Sequence, residues 1–331
     1  MTMRGVLVQR SGAPRLPPVA SPNAAVTAIL RRAILAAAEA SPFRRFVRLH
    51  GMRLGAARFV AGETLDQAVP VLRRLNEQGL LTNTTLLGEC VRDEAETRAV
   101  VDVYRVVLER IRSEALRTNV ALKLTHLGLA FDEELAFENV AALAARAAEL
   151  DNFIRIDMEE SACVDATLRI YRRLREAGHE NVGTVLQSYL YRSEADLDSL
   201  LDLRPNLRIV KGAYLEPPEL AYPKKVDVDA AYVRLVEKAL GAGCFTAVAT
   251  HDERLIEHAI AFAGREGVPA ERFQLQMLYG VRPKLQVELA ARGYAVLVAT
   301  PYGPDWYRYL MRRLAERPAN LLFLLRNLVR R

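Results

Sequence analysis

The stretch WYRYLMRRLAER (306–317) carries two adjacent arginines, Arg312 and Arg313. At about 100° per residue, Tyr309, Arg312, Arg313 and Glu316 share one helix face, with Asp305 alongside. Tyr307, Leu310, Met311 and Leu314 take the opposite face. Neighbouring guanidiniums suit bidentate binding of a carboxylate. A plain solvated face laced by i,i+4 pairs has the same composition, so the rest of the chain must decide. Other reactive side chains recur where apolar runs end: Glu89; Lys123 with His126; Asp157 with Glu159 and Glu160; Gln187 with Tyr189. They continue with Lys211 and Tyr214; His251 and Asp252; Gln276 and Tyr279; and Tyr302. Charges inside otherwise apolar segments demand partners or a ligand.

Three chemistries suit this set. A metal hydrolase would use His126, Asp157 and His251, although the chain holds five histidines and no HxH after its first apolar run. A Schiff-base aldolase would use Lys123 or Lys211, but such a lysine needs desolvation and each has a candidate acid partner. A bound cofactor would use the polar groups to hold its ring edge and phosphates.

The elements that must position these residues are regular. Apolar or β-branched runs occupy 83–88, 120–125, 153–158, 182–188, 207–213, 244–250, 273–279 and 294–300. Helix-period stretches lie between them, at 92–117, 135–150, 161–177, 193–203, 228–242, 252–266, 281–292 and 305–317. Ser161, Ser193, Asp227 and Asp252 are candidate caps, and Gly178, Gly267 and Gly293 candidate terminators. Near-continuous apolar strands indicate a parallel sheet covered on both faces. The first run ends LLGEC, with no GxGxxG fingerprint, so a closed (β/α)8 TIM barrel is expected over 80–331. Residues 23–79 read as an N-terminal helical arm, residues 1–22 as a disordered, Pro-rich leader, and 319–331 as a C-terminal helix.

Composition narrows the function. The three cysteines show no CxxC spacing, which points to neither a disulfide framework nor a zinc site. The net charge of +6 comes from dispersed arginines, so no nucleic-acid groove is expected. No apolar run reaches membrane-spanning length, and a cytoplasmic protein is expected. The apolar side of NLLFLLRNLVRR (320–331) is a candidate peripheral contact with the inner membrane, or packs on protein.

The motifs VLQSYLYR (185–192), RIVKGAYLE (208–216), VATHDE (248–253), QMLYG (276–280) and YRYLMRRLAERPAN (307–320), in this order, resemble the FAD-dependent proline dehydrogenase family. RFVAGETL (58–65) and RIDMEES (155–161) match it too, so the likeness covers roughly 55–328. It is similar to the monofunctional bacterial form, being too short for the extra segments of the fused bifunctional enzymes. The resemblance implies a distorted (β/α)8 barrel with FAD at the C-terminal strand ends. It further implies oxidation of L-proline to 1-pyrroline-5-carboxylate by hydride transfer from C5 to flavin N5, with electrons passed on to a quinone. On the same footing, Arg208 and Gln187 would contact the isoalloxazine, and Lys211, Gly212, Ala213, Thr250, His251 and Gln276 the rest of FAD, with Lys225 and Glu316 as further cofactor contacts. Gly212 would let the backbone approach the cofactor closely. Lys123 and Asp157, expected to be paired, would line the proline pocket, with Leu278, Tyr309, Arg312 and Arg313 completing it. Glu89 matches a family acid that pairs with the first arginine and would gate the pocket.

Two positions depart from the family pattern. Relatives commonly carry Tyr in the last strand where Ala299 stands, which opens space beside the substrate ring and implies 4-hydroxyproline or another substituted proline as an alternative substrate. Leu215 replaces a Trp that some relatives place against the adenine.

Overall fold

The computed structural model describes residues 55–88 and 91–316, together with 45, 47, 51 and 52; of 312–316 it describes the backbone alone. The leader, most of the N-terminal arm before residue 55 and the segment 319–331 therefore lie outside the described residues, as does Glu89.

Eight strands form one closed parallel barrel in sequence order: β1 Leu81–Leu86, β2 Thr118–Lys123, β3 Ile154–Asp157, β4 Val182–Gln187, β5 Asn206–Val210, β6 Phe245–Ala249, β7 Phe273–Leu278 and β8 Val296–Tyr302. Closure is made by six register pairs between β1 and β8, from Leu81↔Leu297 to Leu86↔Tyr302. The helices are α1 Leu65–Glu77, α2 Glu94–Ser113, α3 Glu133–Glu149, α4 Val164–Glu176, α5 Ser193–Leu200, α6 Lys225–Gly241, α7 Glu253–Arg265, α8 Pro283–Ala291 and α9 Trp306–Glu316. Valine, leucine and isoleucine facing outward from the strands meet the helices in one continuous core, so each strand is covered on both faces.

Helix ends were only partly legible. Asp252 caps α7 as expected, accepting from Arg254 N at 3.2 Å, and Gly178, Gly267 and Gly293 follow their helices at positive φ. Ser161, Ser193 and Asp227 are not caps. The Ser161 and Ser193 hydroxyls are committed elsewhere, to Glu216 Oε2 (2.6 Å) and Gln187 O (2.6 Å), and α6 begins two residues before Asp227. The expected last strand runs on through Pro301 and Tyr302. Proline there loses no ladder bond the fold needs, and its carbonyl accepts from Ala61 N at 2.8 Å.

The distortion of the barrel has a structural cause. Helix α1, assigned by sequence to an arm, packs on β1 and β8 and so takes a place in the outer ring. Helix α9 is thereby free to pack elsewhere. Its apolar side (Trp306, Tyr307, Leu310, Met311) is buried against Ala56, Phe59, Val60 and Leu87 in a separate cluster. Trp306 is 1% exposed and donates to Glu63 Oε1 at 2.7 Å, a burial worth on the order of 3 kcal/mol. This anchoring presents Tyr309 to the cavity at the C-terminal strand ends.

Candidate active site at the barrel mouth

One cavity of about 520 Å³ opens at the C-terminal ends of the strands. It is lined by Lys123, Asp157, Leu278 and Tyr309 of the expected substrate pocket. It is also lined by Arg208, Gln187, Lys211, Gly212, Ala213, Thr250, His251, Gln276 and Lys225 of the expected cofactor set. Glu89 and the side chains of Arg312, Arg313 and Glu316 lie outside the described residues.

The wall between β3 and β5 carries a buried ion pair. Arg208 Nη1 donates to Asp157 Oδ1 at 2.7 Å across the intervening Val185 of β4, and Arg208 is 9% exposed. Burial lowers the Arg208 pKa and the Asp157 carboxylate opposes it; an arginine in this balance keeps its charge at neutral pH. The expected pairing of Asp157 with Lys123 is thus corrected. Those two residues are register neighbours on adjacent strands, but the carboxylate turns to the guanidinium, whose fork fits it better. Below the pair, Arg155 is 3% exposed and donates to Thr184 O (2.9 Å), Asn206 O (2.7 Å) and Asn206 Oδ1. Burial, and then the nearby Arg208 charge, push its pKa down to about 9. Gly183 makes room for it, since a Cβ there would lie 2.4 Å from Arg155 Nη1. Arg155 stands inside the quoted RIDMEES motif, yet nothing in a strand sequence tells an inward arginine from a strand-end one.

Next to this pair, at the ends of β5 and β6, Lys211 Nζ lies 2.6 Å from Asp229 Oδ1 and 3.8 Å from Asp252 Oδ2. Lys225 is ion-paired to Asp229 and approaches Asp252 at 3.7 Å; Arg254 reaches Asp252 at 3.0 Å. Three cations around two carboxylates leave a net positive charge beside the cavity. Burial lowers the Lys211 pKa, with Asp229 pulling it back up. The one sequence signal for Asp229 is its i,i+4 spacing from Lys225.

The remaining polar groups are held in fixed orientations. Gln187 Nε2 donates to Glu159 O at 2.8 Å, while the Glu159 carboxylate accepts from Thr125 N (3.0 Å) and Thr125 Oγ1 (2.7 Å). His251 Nε2 accepts from Leu278 N at 2.9 Å, which places its ring proton on Nδ1 and occupies the lone pair a metal would need. Among the described residues no three His, Cys, Asp or Glu side chains gather closely enough to hold a metal ion. Gly212 sits at φ 109°, and a Cβ there would lie 2.3 Å from the Tyr189 ring. What demands glycine at 212 is therefore this backbone conformation and the packed tyrosine.

Fold and site together define a (β/α)8 barrel with a cationic mouth, and the sequence comparisons give it a family. The proline dehydrogenase family model matches residues 68–326, and the chain belongs to the proline dehydrogenase family. It is 41% identical over 303 residues to proline dehydrogenase 1 of Bacillus subtilis (strain 168), covering 92% of this chain and 100% of that one. It is 44% identical over 306 residues to the proline dehydrogenase of Deinococcus radiodurans, covering 91% and 98%. Against the bifunctional protein PutA of Escherichia coli (strain K12) the match is 27% identical and covers 82% of this chain but 24% of the relative. Among solved structures, proline utilization A from Bdellovibrio bacteriovorus inactivated by N-propargylglycine superposes with a TM-score of 0.74 at 24% identity, over 80% of this chain. A Bradyrhizobium japonicum proline utilization A superposes with a TM-score of 0.68 at 25% identity, over 86% of this chain. This chain spans 32% of the length of each of those two structures.

Proposed function

We propose that the barrel mouth oxidises L-proline to 1-pyrroline-5-carboxylate with FAD as the hydride acceptor, and that a quinone reoxidises the flavin. The observation that carries this reading is the cavity itself: an Arg208–Asp157 pair in one wall and a net-positive lysine cluster beside it at the ends of β5 and β6. The donor set fits FAD. Arg208 Nε and Gln276 Oε1 are buried without a hydrogen-bond partner in the protein, so a donor and an acceptor are free to meet a heteroaromatic ring edge. Lys211 and Lys225 offer the positive charge a diphosphate needs. Bound there, FAD would supply the acceptor for the hydride of proline C5, with the proton of the proline nitrogen passing to water.

The chain's residues bind and orient. Arg208 would hold a permanent positive charge beside the reducible ring, and Asp157 fixes that guanidinium in the wall. Lys123, Leu278 and Tyr309 shape the adjoining space for the imino acid. Arg312 and Arg313, on the strength of the family resemblance, would grip its carboxylate. Mass spectrometry of the chromophore released on denaturation, and of the product made from proline with a soluble quinone, tests this. FMN, no flavin, or no 1-pyrroline-5-carboxylate would reject the reading.

The lysine cluster makes FAD binding pH-sensitive. Because burial holds the Lys211 pKa below its unfolded value, the folded protein releases this proton before the unfolded chain does. Over that window the unfolded state binds more protons, so this group's contribution to stability rises with pH up to about 10.4. Cofactor affinity moves the opposite way, because the neutral amine no longer attracts a diphosphate. Fluorescence titration should show FAD affinity falling as pH rises towards 10, with the fall abolished in Lys211→Arg; a pH-independent Kd would contradict it.

A further inference from the structure

Asn83 lies on β1, lines the cavity and is 1% exposed, yet neither its Nδ2 nor its Oδ1 has a hydrogen-bond partner in the protein. Its neighbours along the strand are satisfied. Thr82 Oγ1 meets Thr118 Oγ1 at 2.6 Å, and Thr84 Oγ1 donates to Thr300 O at 3.0 Å. A buried amide unpaired at both ends is unfavourable in the free protein, and an apolar side chain of similar shape would pack there without that loss. The amide sits beside open space. Its register partner on β8 is Ala299, which lines the same cavity and whose other register partner is Leu278 on β7. Asn83, Ala299 and Leu278 thus stand side by side on β1, β8 and β7 around the same volume.

The chemistry of the amide selects its ligand. It offers one acceptor and one donor group side by side, the complement of a hydroxyl, which donates and accepts at once. A carboxylate would be repelled by Oδ1 and an ammonium by the NH2. We propose that Asn83 is a specificity-determining residue that hydrogen-bonds a hydroxyl on the substrate ring, so that the site accepts hydroxylated cyclic imino acids. This rests on reading the cavity as an imino-acid oxidation site. The hydroxyl is a spectator: hydride and proton leave as they do from proline.

The test is anaerobic flavin reduction by L-proline and by each epimer of 4-hydroxy-L-proline, in the wild type, Asn83→Leu and Ala299→Leu. The wild type should oxidise the better epimer with kcat/KM within about thirtyfold of that for proline. Two neutral hydrogen bonds correspond to about 10- to 100-fold, so the hydroxyproline-to-proline ratio should fall by that much in Asn83→Leu, whatever the absolute rates. Ala299→Leu leaves the amide in place but fills the approach to it, and should lower the ratio likewise; it decides the matter if Asn83→Leu does not fold. The melting temperature of Asn83→Leu should equal or exceed that of the wild type, because an unpaired buried amide has been removed. A ratio changed less than about fivefold would give the amide to an ordered water and overturn the assignment. So would a wild type that discriminates against both epimers beyond the thirtyfold limit while oxidising proline. Reduction by none of the three substrates would remove the imino-acid reading itself.

Discussion

Arg208→Met should slow flavin reduction by proline about 10²- to 10³-fold, the usual consequence of removing one preorganised charge from a site where charge develops. The guanidinium is almost wholly buried and faces a cavity, so its field is poorly screened. The same loss of about 2.7–4 kcal/mol, expressed on the cofactor, lowers the two-electron midpoint potential by roughly 60–90 mV. A structural role would act differently. Asp157 is left without its partner, but its side chain is 23% exposed and water can reach it, so the stability loss is held to about 1–2 kcal/mol, a few degrees in Tm. Arg208→Lys keeps the charge but not the fork, and should recover most of the potential with less of the rate. Stopped-flow reduction and potentiometry read the two effects separately. A potential unmoved in Arg208→Met would limit this arginine to holding Asp157.

Arg312→Ala and Arg313→Ala should each lower kcat/KM for proline by about 30- to 4000-fold, or about 2–5 kcal/mol. The need for them follows from the described site. Arg208 is engaged by Asp157, and the proposed reading gives Lys211 and Lys225 to the cofactor's diphosphate, so beyond Lys123 a bidentate grip on the substrate's carboxylate calls for further cations. The family resemblance assigns that task to the adjacent guanidiniums, and helix α9 is anchored firmly enough through Trp306 and Leu310 to hold a clamp in register. The loss should fall on KM as well as kcat, since the carboxylate is bound before and during hydride transfer. Steady-state kinetics with both variants within threefold of the wild type would return these arginines to a solvated helix face.

Much of the fold can be read from the chain because the strands are apolar or β-branched runs and most are set off by helix-terminating glycines such as Gly178 and Gly267. Helix α9 shows where reading stops. Its amphipathic pattern says that one side is buried but not against what, and the partner proves to be residues 56–60 and Leu87. Likewise α1 reads as an arm helix because its role in closing the outer ring depends on α9 leaving it vacant. The site was legible at strand ends, where Lys123, Asp157 and Gln187 stand last in their strands. Asp229 and Asn83 were not, because an aspartate in an amphipathic helix and an asparagine in a strand acquire meaning from what lies opposite them. The Asp157–Arg208 pairing is a choice between two cations across the barrel wall, which spacing along the chain does not encode.

Oxidation of an imino acid at the barrel mouth requires delivery of its hydride to a flavin held there. The purified protein should be yellow, and anaerobic addition of L-proline should bleach its visible flavin band while 1-pyrroline-5-carboxylate forms in equal amount. A flavin band that stays unchanged under saturating proline, or a colourless protein that acquires no such band on incubation with FAD, would contradict it.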